Sequence, residues 1–393
     1  MNITRLVLPG IAMIAVSYGL ARFSYGLMLP GISEDLGMTP AVAGLISSLV
    51  YLSYCGAIVF SIVWTSRHGP RGMILAAGIS AVLGMLLMSI APNAWVLALG
   101  VLAAGASTGF VSPPYGAAIS LWIQEEKQGT ANTWINTGTS LGLLVAGAGA
   151  VFLLGEWRMT YAGYAALALL ILLWNRRVLP KRGVSRVQFD QGSFGIRGVP
   201  GAPRLLLSAG LLGMATAVFW TFAVDFLDST GQFSSAGLSG FWIVLGIFGV
   251  LGGFSGSVIR RIGLPASYMG AASAIGLASL LLAAFPEEPL GAYTAAALFG
   301  AAYLFVTGVL IVWGIRVFIA NASLGIGTPF LLLAVGQVAG SVLAGGLIGV
   351  LGYSAVFLLF GSFGLLAVMF GPQTDTVNPL PESAASHPAQ EMS

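Results

Sequence analysis

The chain has 393 residues, of which 57% are hydrophobic and only 7% are charged, and its formal net charge is +3. Soluble domains carry about 25% charged residues, so this composition excludes a water-soluble globular protein, and the apolar excess excludes a disordered one. The 55 glycines follow no three-residue period, which excludes a collagen-like fibre. The composition therefore predicts an integral membrane protein.

The apolar segments predict helices rather than barrel strands. A helix needs about 20 predominantly apolar residues to cross the bilayer, whereas a barrel strand needs about 10 alternating ones. The run from Leu205 to Val224 is uncharged and shows no alternation, and the other runs are similar. In chain order we predict twelve membrane-spanning helices, at 6–30, 41–65, 72–91, 94–122, 131–154, 160–176, 205–227, 236–259, 265–285, 290–315, 325–349 and 352–371.

One long connection divides the twelve segments into two groups of six. It is polar, interrupted by Gly and Pro, and basic through Arg177, Lys181, Arg182, Arg186, Arg197 and Arg204. We therefore predict an N-terminal six-helix half (1–176), a basic cytoplasmic linker (177–204), a C-terminal six-helix half (205–371) and a cytoplasmic tail (372–393). The Pro, Ser, Thr and acidic content of the tail predicts disorder.

The basic residues predict the orientation. With the N-terminus inside, the cytoplasmic loops carry nearly all of them, whereas the outer side holds Arg158 alone. This asymmetry satisfies the positive-inside rule, so we predict a multi-pass protein of the cytoplasmic (inner) membrane with both termini in the cytoplasm. Arg22 interrupts the region where a signal peptide would be cleaved, so we expect the first segment to be retained.

The two halves repeat a short pattern. Phe60-Ser61 is followed after five residues by Arg67-His68-Gly69, and Phe254-Ser255 is followed at the same spacing by Arg261-Ile262-Gly263. The copies stand after the second segment of each half, 194 residues apart (261 minus 67). Such an offset indicates internal duplication, an arrangement of secondary transporters whose substrate site lies between the halves.

The loop after the second segment resembles the G-x-x-x-D-R-x-G-R-[RK] signature of the major facilitator superfamily (MFS). Arg67, Gly69 and Arg71 match this signature, whereas Ser66 stands in place of its Asp. In the family that Asp is implied to lock neighbouring helices, and Ser66 could serve only as a weaker helix cap. The resemblance implies a gating loop made of Ser66, Arg67, Gly69 and Arg71, with Arg261 and Gly263 in the second copy.

The first segment carries a more specific resemblance. The stretch from Gly19 to Pro30 (GLARFSYGLMLP) is similar to the G-x-G-R-F-x-Y-x-x-x-L-P stretch of the YbfB/YjiJ-like MFS branch, with Ala21 in place of the second Gly. This resemblance implies the MFS fold and a transporter, but no substrate. The fourth segment lacks the Arg, and the fifth the Gly-Pro pair, that the superfamily resemblance associates with proton-coupled drug antiporters.

Arg22 is the sharpest functional signal. At 1.5 Å per residue it lies ~25 Å beyond Arg5, at a depth where a charge costs at least ~2.5–3.5 kcal/mol. On an α-helical wheel, Tyr18, Arg22 and Tyr25 form one polar stripe. A guanidinium between phenols suits a carboxylate or similar oxyanion, with stacking for a planar ligand. The alternative is that Arg22 snorkels outward or pairs structurally.

Asp225 is the candidate for proton coupling, as the only carboxylate near membrane depth. The repeat offset places Thr216 opposite Arg22, so Asp225 lies about nine residues, or ~13 Å, further out. We therefore expect Asp225 at the outer mouth and not paired with Arg22. Its alternative role is a solvated charge at a helix end.

Other residues within the predicted helices are candidates for lining a cavity. Asn132 and Asn136 form a polar stripe in the fifth segment that could bind substrate or join neighbouring helices. Tyr115 stands beside two prolines that we expect to kink the fourth segment. Trp220 and Tyr303 are further candidates for substrate binding. Packing is the commoner role for them and for the lesser candidates Tyr51, Tyr54, Thr221 and Gln337.

Together these features predict a secondary active transporter that moves a small organic anion by alternating access, with a possible coupling proton in symport. The alternative is efflux of amphipathic or neutral small molecules. No G-x-x-x-x-G-K-[ST] loop occurs, so we expect no ATP-driven step. We expect no enzyme activity, because Asp, Glu and His do not cluster at one membrane depth. We also expect no cofactor or metal, because the few Cys and His residues are scattered, and a monomer in the lipid bilayer without a nucleic-acid partner.

Overall fold

The computed structural model describes residues 3–153, 156–180, 199–319 and 322–373. Within these ranges every regular element is a helix and no strand is present. Lys181, Arg182, Arg186 and Arg197 of the predicted linker, and the predicted tail from residue 374 onward, lie outside the described residues. The expectations about the linker charges and the disordered tail therefore stay predictions.

Twelve apolar helices make up the described chain. The last helical stretch, Ala322–Val368, is broken at Gly352, whose φ of 78° and ψ of 167° are not helical, and it forms α11 (322–351) and α12 (353–368). Each predicted span overlaps one helix, so the prediction of an all-α membrane protein is confirmed. The others are α1 (Ile3–Leu36), α2 (Pro40–His68), α3 (Pro70–Ser89), α4 (Ala94–Trp122), α5 (Glu125–Phe152), α6 (Trp157–Val178), α7 (Ala202–Ser229), α8 (Ser235–Ile262), α9 (Leu264–Ala284) and α10 (Pro289–Val317).

The first helix is not a uniform α-helix. Its central stretch, Ala15–Phe23, is π-helical, with α-helix on both sides. A π turn closes hydrogen bonds from residue i to residue i+5, so it takes up more residues than an α turn and moves the following side chains to a different face. Such turns are rare and occur frequently at functional sites.

Arginines at helix ends mark one side of the bundle, where α6 ends and α7 begins, which we call the linker side. Arg71 donates to the carbonyl oxygens of Leu179 at 2.7 Å and Arg176 at 2.9 Å, at the end of α6. Arg204 donates to the carbonyl oxygen of Gly371 at 2.7 Å, just after α12. These arginines supply partners to carbonyl groups that a helix C-terminus leaves unsatisfied.

The opposite side, which we call the far side, contains an ion pair. Arg158 at the start of α6 contacts the carboxylate of Asp35 near the end of α1, and Arg158 also donates to the carbonyl oxygen of Ala91 at 3.0 Å. Trp157 donates its indole N–H to the same carboxylate at 3.1 Å. Across the described ranges this is the one ion pair, and it lies within the first six helices.

Helices α1–α6 and α7–α12, which we call the two halves, have matching turns. Gly37 and Gly231 follow α1 and α7 with φ of 61° and 69°, and Gly69 and Gly263 follow α2 and α8 with φ of 81° and 84°. Both pairs are 194 residues apart (231 minus 37 and 263 minus 69), the same offset as the sequence repeat. Glycine adopts positive φ without a steric penalty, so the shared turns support an internal duplication.

The halves meet through α1 and α7, α2 and α11, and α5 and α8. A Cβ added to Gly26 of α1 would lie 1.9 Å from the carbonyl oxygen of Trp220 on α7. A Cβ added to Gly44 of α2 would lie 2.3 Å from the carbonyl oxygen of Ser341 on α11. Glycine at these positions therefore lets the two backbones touch, as small residues do in other membrane helix pairs.

Candidate functional site

Arg22 lies at the interface between the two halves. It belongs to the π-helical stretch of α1 and is only 6% exposed. Its Nη2 atom donates a hydrogen bond to Oε1 of Gln337 on α11, at 3.0 Å. Arg22 therefore links the two halves directly, with a bond that spans 315 residues of sequence.

Aromatic rings surround this guanidinium. Its central carbon lies 4.8 Å from the ring centroid of Tyr54, 5.0 Å from Tyr51, 5.1 Å from Phe23 and 5.7 Å from Tyr18. All four distances are within the ~6 Å range of a cation–π contact. Tyr18 and Phe23 are five residues apart, the spacing that a π turn brings to one face. The rings stabilise the cation without neutralising its charge.

Gln337 connects Arg22 to two further helices. Its Nε2 atom lies 3.4 Å from Oγ1 of Thr216 on α7 and 3.4 Å from the hydroxyl of Tyr303 on α10. The side chain has no exposed surface. One buried amide therefore joins α1 of the first half to α7, α10 and α11 of the second.

Trp220 of α7 forms a second part of the same cluster. Its ring stacks on Phe23 with centroids 4.0 Å apart, and it meets Tyr303 edge-on at 5.0 Å. The Nε of Arg22 is buried and has no hydrogen-bond partner among the described residues. Buried donors in proteins are nearly always paired, so this Nε is an exception to the usual pattern.

Three hydroxyl groups lie beside this cluster toward the far side, and we call them the hydroxyl layer. Ser47 of α2 and Thr221 of α7 are hydrogen-bonded at 2.7 Å, and Thr221 also lies 3.5 Å from the hydroxyl of Ser341 on α11. All three residues are buried. The hydroxyl layer joins the halves through neutral groups between the Arg22 cluster and the far side.

The predicted stripe of Tyr18, Arg22 and Tyr25 is not observed. Tyr18 stays beside Arg22, with its hydroxyl 2.8 Å from that of Ser112. Tyr25 follows the π-helical stretch, and its hydroxyl donates to the carbonyl oxygen of Ala43 at 3.1 Å. An α-helical wheel assumes uniform turns, so it fails across a π turn, and Tyr25 takes part in packing between α1 and α2.

Tyr115, Asn132 and Asn136 also make their contacts away from Arg22. The Tyr115 hydroxyl donates to Oδ1 of Asn175 at 2.5 Å and so joins α4 to α6, while the α4 backbone stays helical through both of its internal prolines. Asn132 and Asn136 are exposed on α5, and Nδ2 of Asn136 donates to the backbone oxygen of Asn132 at 2.9 Å. Binding roles for these three residues stay predictions.

Asp225 lies toward the far end of α7. Its carboxylate accepts a hydrogen bond from the Tyr353 hydroxyl on α12 at 2.5 Å, and the nearby Asp228 is exposed. Among the residues that the structure describes, no carboxylate forms an ion pair with Arg22. This arrangement agrees with the expected position of Asp225, while its role in proton coupling stays a prediction.

The comparison with known families decides the class of the protein. The model of the Major Facilitator Superfamily matches residues 11–327, which is most of the chain. The chain belongs to the Major Facilitator Superfamily. It is therefore a membrane transporter by family, as the sequence predicted, while its place in the YbfB/YjiJ-like branch stays a prediction.

Among curated proteins, the chain is similar to drug-resistance proteins. It is 27% identical over 262 residues to the chloramphenicol resistance protein of Streptomyces lividans, covering 63% of this chain and 64% of that protein. It is 25% identical over 161 residues to the multidrug resistance protein MdtH of Yersinia pestis (strain Pestoides F), covering 39% of each. The matched regions thus span less than two thirds of these relatives.

Solved structures show the same MFS fold. A crystal structure of the nucleoside transporter NupG matches with a TM-score of 0.70 and 15% sequence identity, covering 94% of this chain and 98% of that one. A second NupG crystal structure, of a variant, matches with a TM-score of 0.72 over 93% and 98%. At this identity the likeness concerns the fold alone.

The gating loop implied by the MFS resemblance lies on the linker side. The Ser66 hydroxyl donates to the carbonyl oxygen of Val63 at 2.8 Å, a bond within α2. Arg67 and Arg261 are exposed, and Arg71 binds the end of α6. In this structure Arg71 therefore ties α3 to α6 of the same half, and the gating role of the loop stays a prediction.

Proposed function

We propose that this chain is a secondary active transporter that moves a small organic anion by alternating access. The observation that carries the proposal is Arg22, a buried cation between the halves without a carboxylate partner in the described ranges. A charge at membrane depth is costly unless it faces a partner or a wet cavity, and such residues mark substrate or ion pathways. An anionic substrate would supply the missing negative charge.

The donors around Arg22 support the same substrate class. Arg22 donates through Nη2 to Gln337, and its Nε has no partner among the described residues. A carboxylate accepts two parallel hydrogen bonds from a guanidinium, which gives both affinity and orientation. The rings of Tyr51, Tyr54 and Phe23 are placed to pack against a planar part of the ligand.

The names of the curated relatives and the aromatic lining favour a second candidate, efflux of amphipathic or neutral small molecules. Rings of Trp220, Phe23 and Tyr303 form a continuous aromatic cluster that would bind such molecules through apolar contact. The two functions differ in whether Arg22 is essential. Under the first proposal the positive charge is required, whereas under the second only aromatic surface is.

The test replaces Arg22 by Ala and by Lys in purified protein reconstituted into liposomes. We expect Arg22→Ala to abolish uptake of organic acids, and Arg22→Lys to lose most of it, because Lys cannot form the bidentate pair. The matched control is Arg260→Ala, which removes an equal charge from the exposed end of α8. Uptake of acids by Arg22→Ala at the rate of the control would contradict the anion proposal.

We also propose the orientation and coupling that the sequence indicates, with both termini in the cytoplasm and Asp225 as the proton-coupling group. Asp225 is partly buried between α7 and α12 and touches a single hydroxyl donor, that of Tyr353. Asp225→Asn measured in the same liposomes, with and without a pH gradient, tests this role. Uptake that still responds fully to the gradient in Asp225→Asn would contradict it.

A further inference from the structure

The bond between Arg22 and Gln337 is a direct hydrogen bond between the guanidinium and the second half. Gln337 has no exposed surface, and the bond between Nη2 and Oε1 measures 3.0 Å. Arg22 belongs to α1 and Gln337 to α11, so any movement of one half against the other changes this distance. The distance between Arg22 and Gln337 therefore depends on the relative position of the halves.

The direction of the Gln337 amide follows from the chemistry of its neighbours. A guanidinium offers only N–H donors, so the amide oxygen must face Arg22. The amide nitrogen then faces the hydroxyl oxygens of Thr216 and Tyr303, both at 3.4 Å. These two contacts are longer than the one to Arg22, so the amide is oriented by three partners and held most closely by Arg22.

The neutrality of Gln337 has a specific consequence. A Glu of the same length would place a carboxylate against Arg22 and give the cation a resident counter-charge. Such a charge-assisted pair is roughly twice as strong as a neutral hydrogen bond. The amide instead orients the guanidinium and leaves its charge uncompensated, with Nε still unpaired.

We propose that Gln337 is a specificity-determining residue, whose amide oxygen holds the position on Arg22 that the oxyanion of the substrate takes over. Arrival of the anion displaces Oε1 from Nη2 and so releases a bond between the two halves. The neutral amide at position 337 thus makes the site select anions, and a carboxylate there would reject them. This inference rests on the proposed anion transport.

The experiment compares Gln337→Glu with Gln337→Ala in purified protein, with thermal shift as the readout and benzoate, lactate and succinate as probes. Benzamide serves as the neutral counterpart of benzoate. We expect Gln337→Glu to bind the acids at least about tenfold more weakly than wild type, because the new carboxylate occupies and neutralises Arg22. We expect Gln337→Ala to bind them as tightly as wild type or more tightly, because a competitor is removed.

A measurement without ligand controls for folding. In ligand-free protein, Gln337→Glu should change the melting temperature little, because its attraction to Arg22 offsets the cost of burying the new carboxylate. The same change in an Arg22→Ala background should lower the melting temperature, because it buries an unpaired carboxylate. A Gln337→Glu change that lowers the melting temperature equally in both backgrounds would contradict the charge pairing on which the inference depends.

The outcomes separate the inference from the proposed function. Acid binding that is lost in Arg22→Ala but retained in Gln337→Glu overturns the role of Gln337 alone. Equal loss in Gln337→Ala and Gln337→Glu also overturns it, since it shows that the amide is needed and that its neutrality is not. A wild-type protein that responds to none of the three acids overturns the anion transport proposal.

Discussion

The far side of the interface between the halves and the exposed helix faces differ in how closely neighbouring atoms approach their glycines. Toward the far side, added Cβ atoms at Gly26, Gly44 and Gly345 would lie 1.9, 2.3 and 2.4 Å from carbonyl oxygens of the other half. By contrast, Gly116 of α4 and Gly253 of α8 are exposed, and added Cβ atoms there would meet no described atom within 4 Å. The two halves are therefore closed against each other on the far side.

The closed end is held by contacts that can separate without exposing charge. It uses glycine contacts and the hydroxyl layer of Ser47, Thr221 and Ser341. The one ion pair in the described ranges, Arg158 with Asp35, joins two helices of the same half. Hydrogen bonds between membrane helices contribute only about 0.6 kcal/mol each, so a closure of this kind suits a protein that must open it repeatedly.

The largest expected effect comes from breaking the far-side contact itself. Gly26→Val should hold the far side open and abolish transport, because the new side chain overlaps the Trp220 carbonyl oxygen, 1.9 Å from its Cβ. Overpacking of this kind costs about 1–3 kcal/mol, enough to favour a different arrangement of the halves.

Cysteine labelling measures this opening. Ala43 lies on α2 beside the contact and is buried, so Ala43→Cys in a Cys55→Ser background is a reporter for an impermeant maleimide. We expect fast labelling in Gly26→Val and slow labelling in the matched control Gly116→Val. If Ala43→Cys stays protected in Gly26→Val, the far-side contact is not the closure that we infer.

Sequence patterns were sufficient for the helices and for the presence of one charged residue, Arg22, within a membrane-spanning helix. Long uncharged apolar runs indicate membrane helices. A charged residue within such a run is costly, so it needs a partner or a wet cavity. The repeat offset also placed Thr216 opposite Arg22, and in the structure Thr216 reaches Arg22 through Gln337. These inferences hold because they depend on composition and spacing along the chain.

The surroundings of Arg22 were not predictable in the same way. Tyr51, Tyr54 and Gln337 belong to α2 and α11, and nothing in a single sequence specifies which of their faces meet α1. Tyr25 was assigned to the wrong face because the sequence gives no direct sign of the π turn that ends at Phe23. The spacing of Tyr18 and Phe23, i to i+5, is the one signal that could have indicated it.

The second prediction tests whether destabilising the turns on the linker side leaves the far side closed. Gly69 and Gly263 have φ of 81° and 84° with ψ of 169° and 164°, a region that residues other than glycine adopt only with strain. Gly69→Ala and Gly263→Ala should each destabilise the protein by roughly 1–3 kcal/mol. Gly253→Ala, in open helical space, is the matched control.

Thermal unfolding in detergent measures the loss of stability. Labelling of Ala43→Cys shows whether that loss is accompanied by opening of the far side. We expect lower melting temperatures for Gly69→Ala and Gly263→Ala, with labelling as slow as in wild type. Fast labelling in either variant would show that destabilising a turn on the linker side also opens the far side.

The smallest expected effect concerns the hydroxyl layer. Thr221→Val keeps the shape of the side chain but removes the hydroxyl that contacts both Ser47 and Ser341. Each lost bond between membrane helices is worth about 0.6 kcal/mol, so the open population should rise about threefold for one bond and less than tenfold for two. Labelling of Ala43→Cys should accelerate by that factor.

Thr216→Val is the matched control one turn away, because Thr216 contacts Gln337 at 3.4 Å within the same half. If the labelling rate is unchanged in Thr221→Val, the glycine contacts alone hold the far side closed. If labelling accelerates equally in Thr221→Val and Thr216→Val, the hydroxyl layer has no distinct role in the closure.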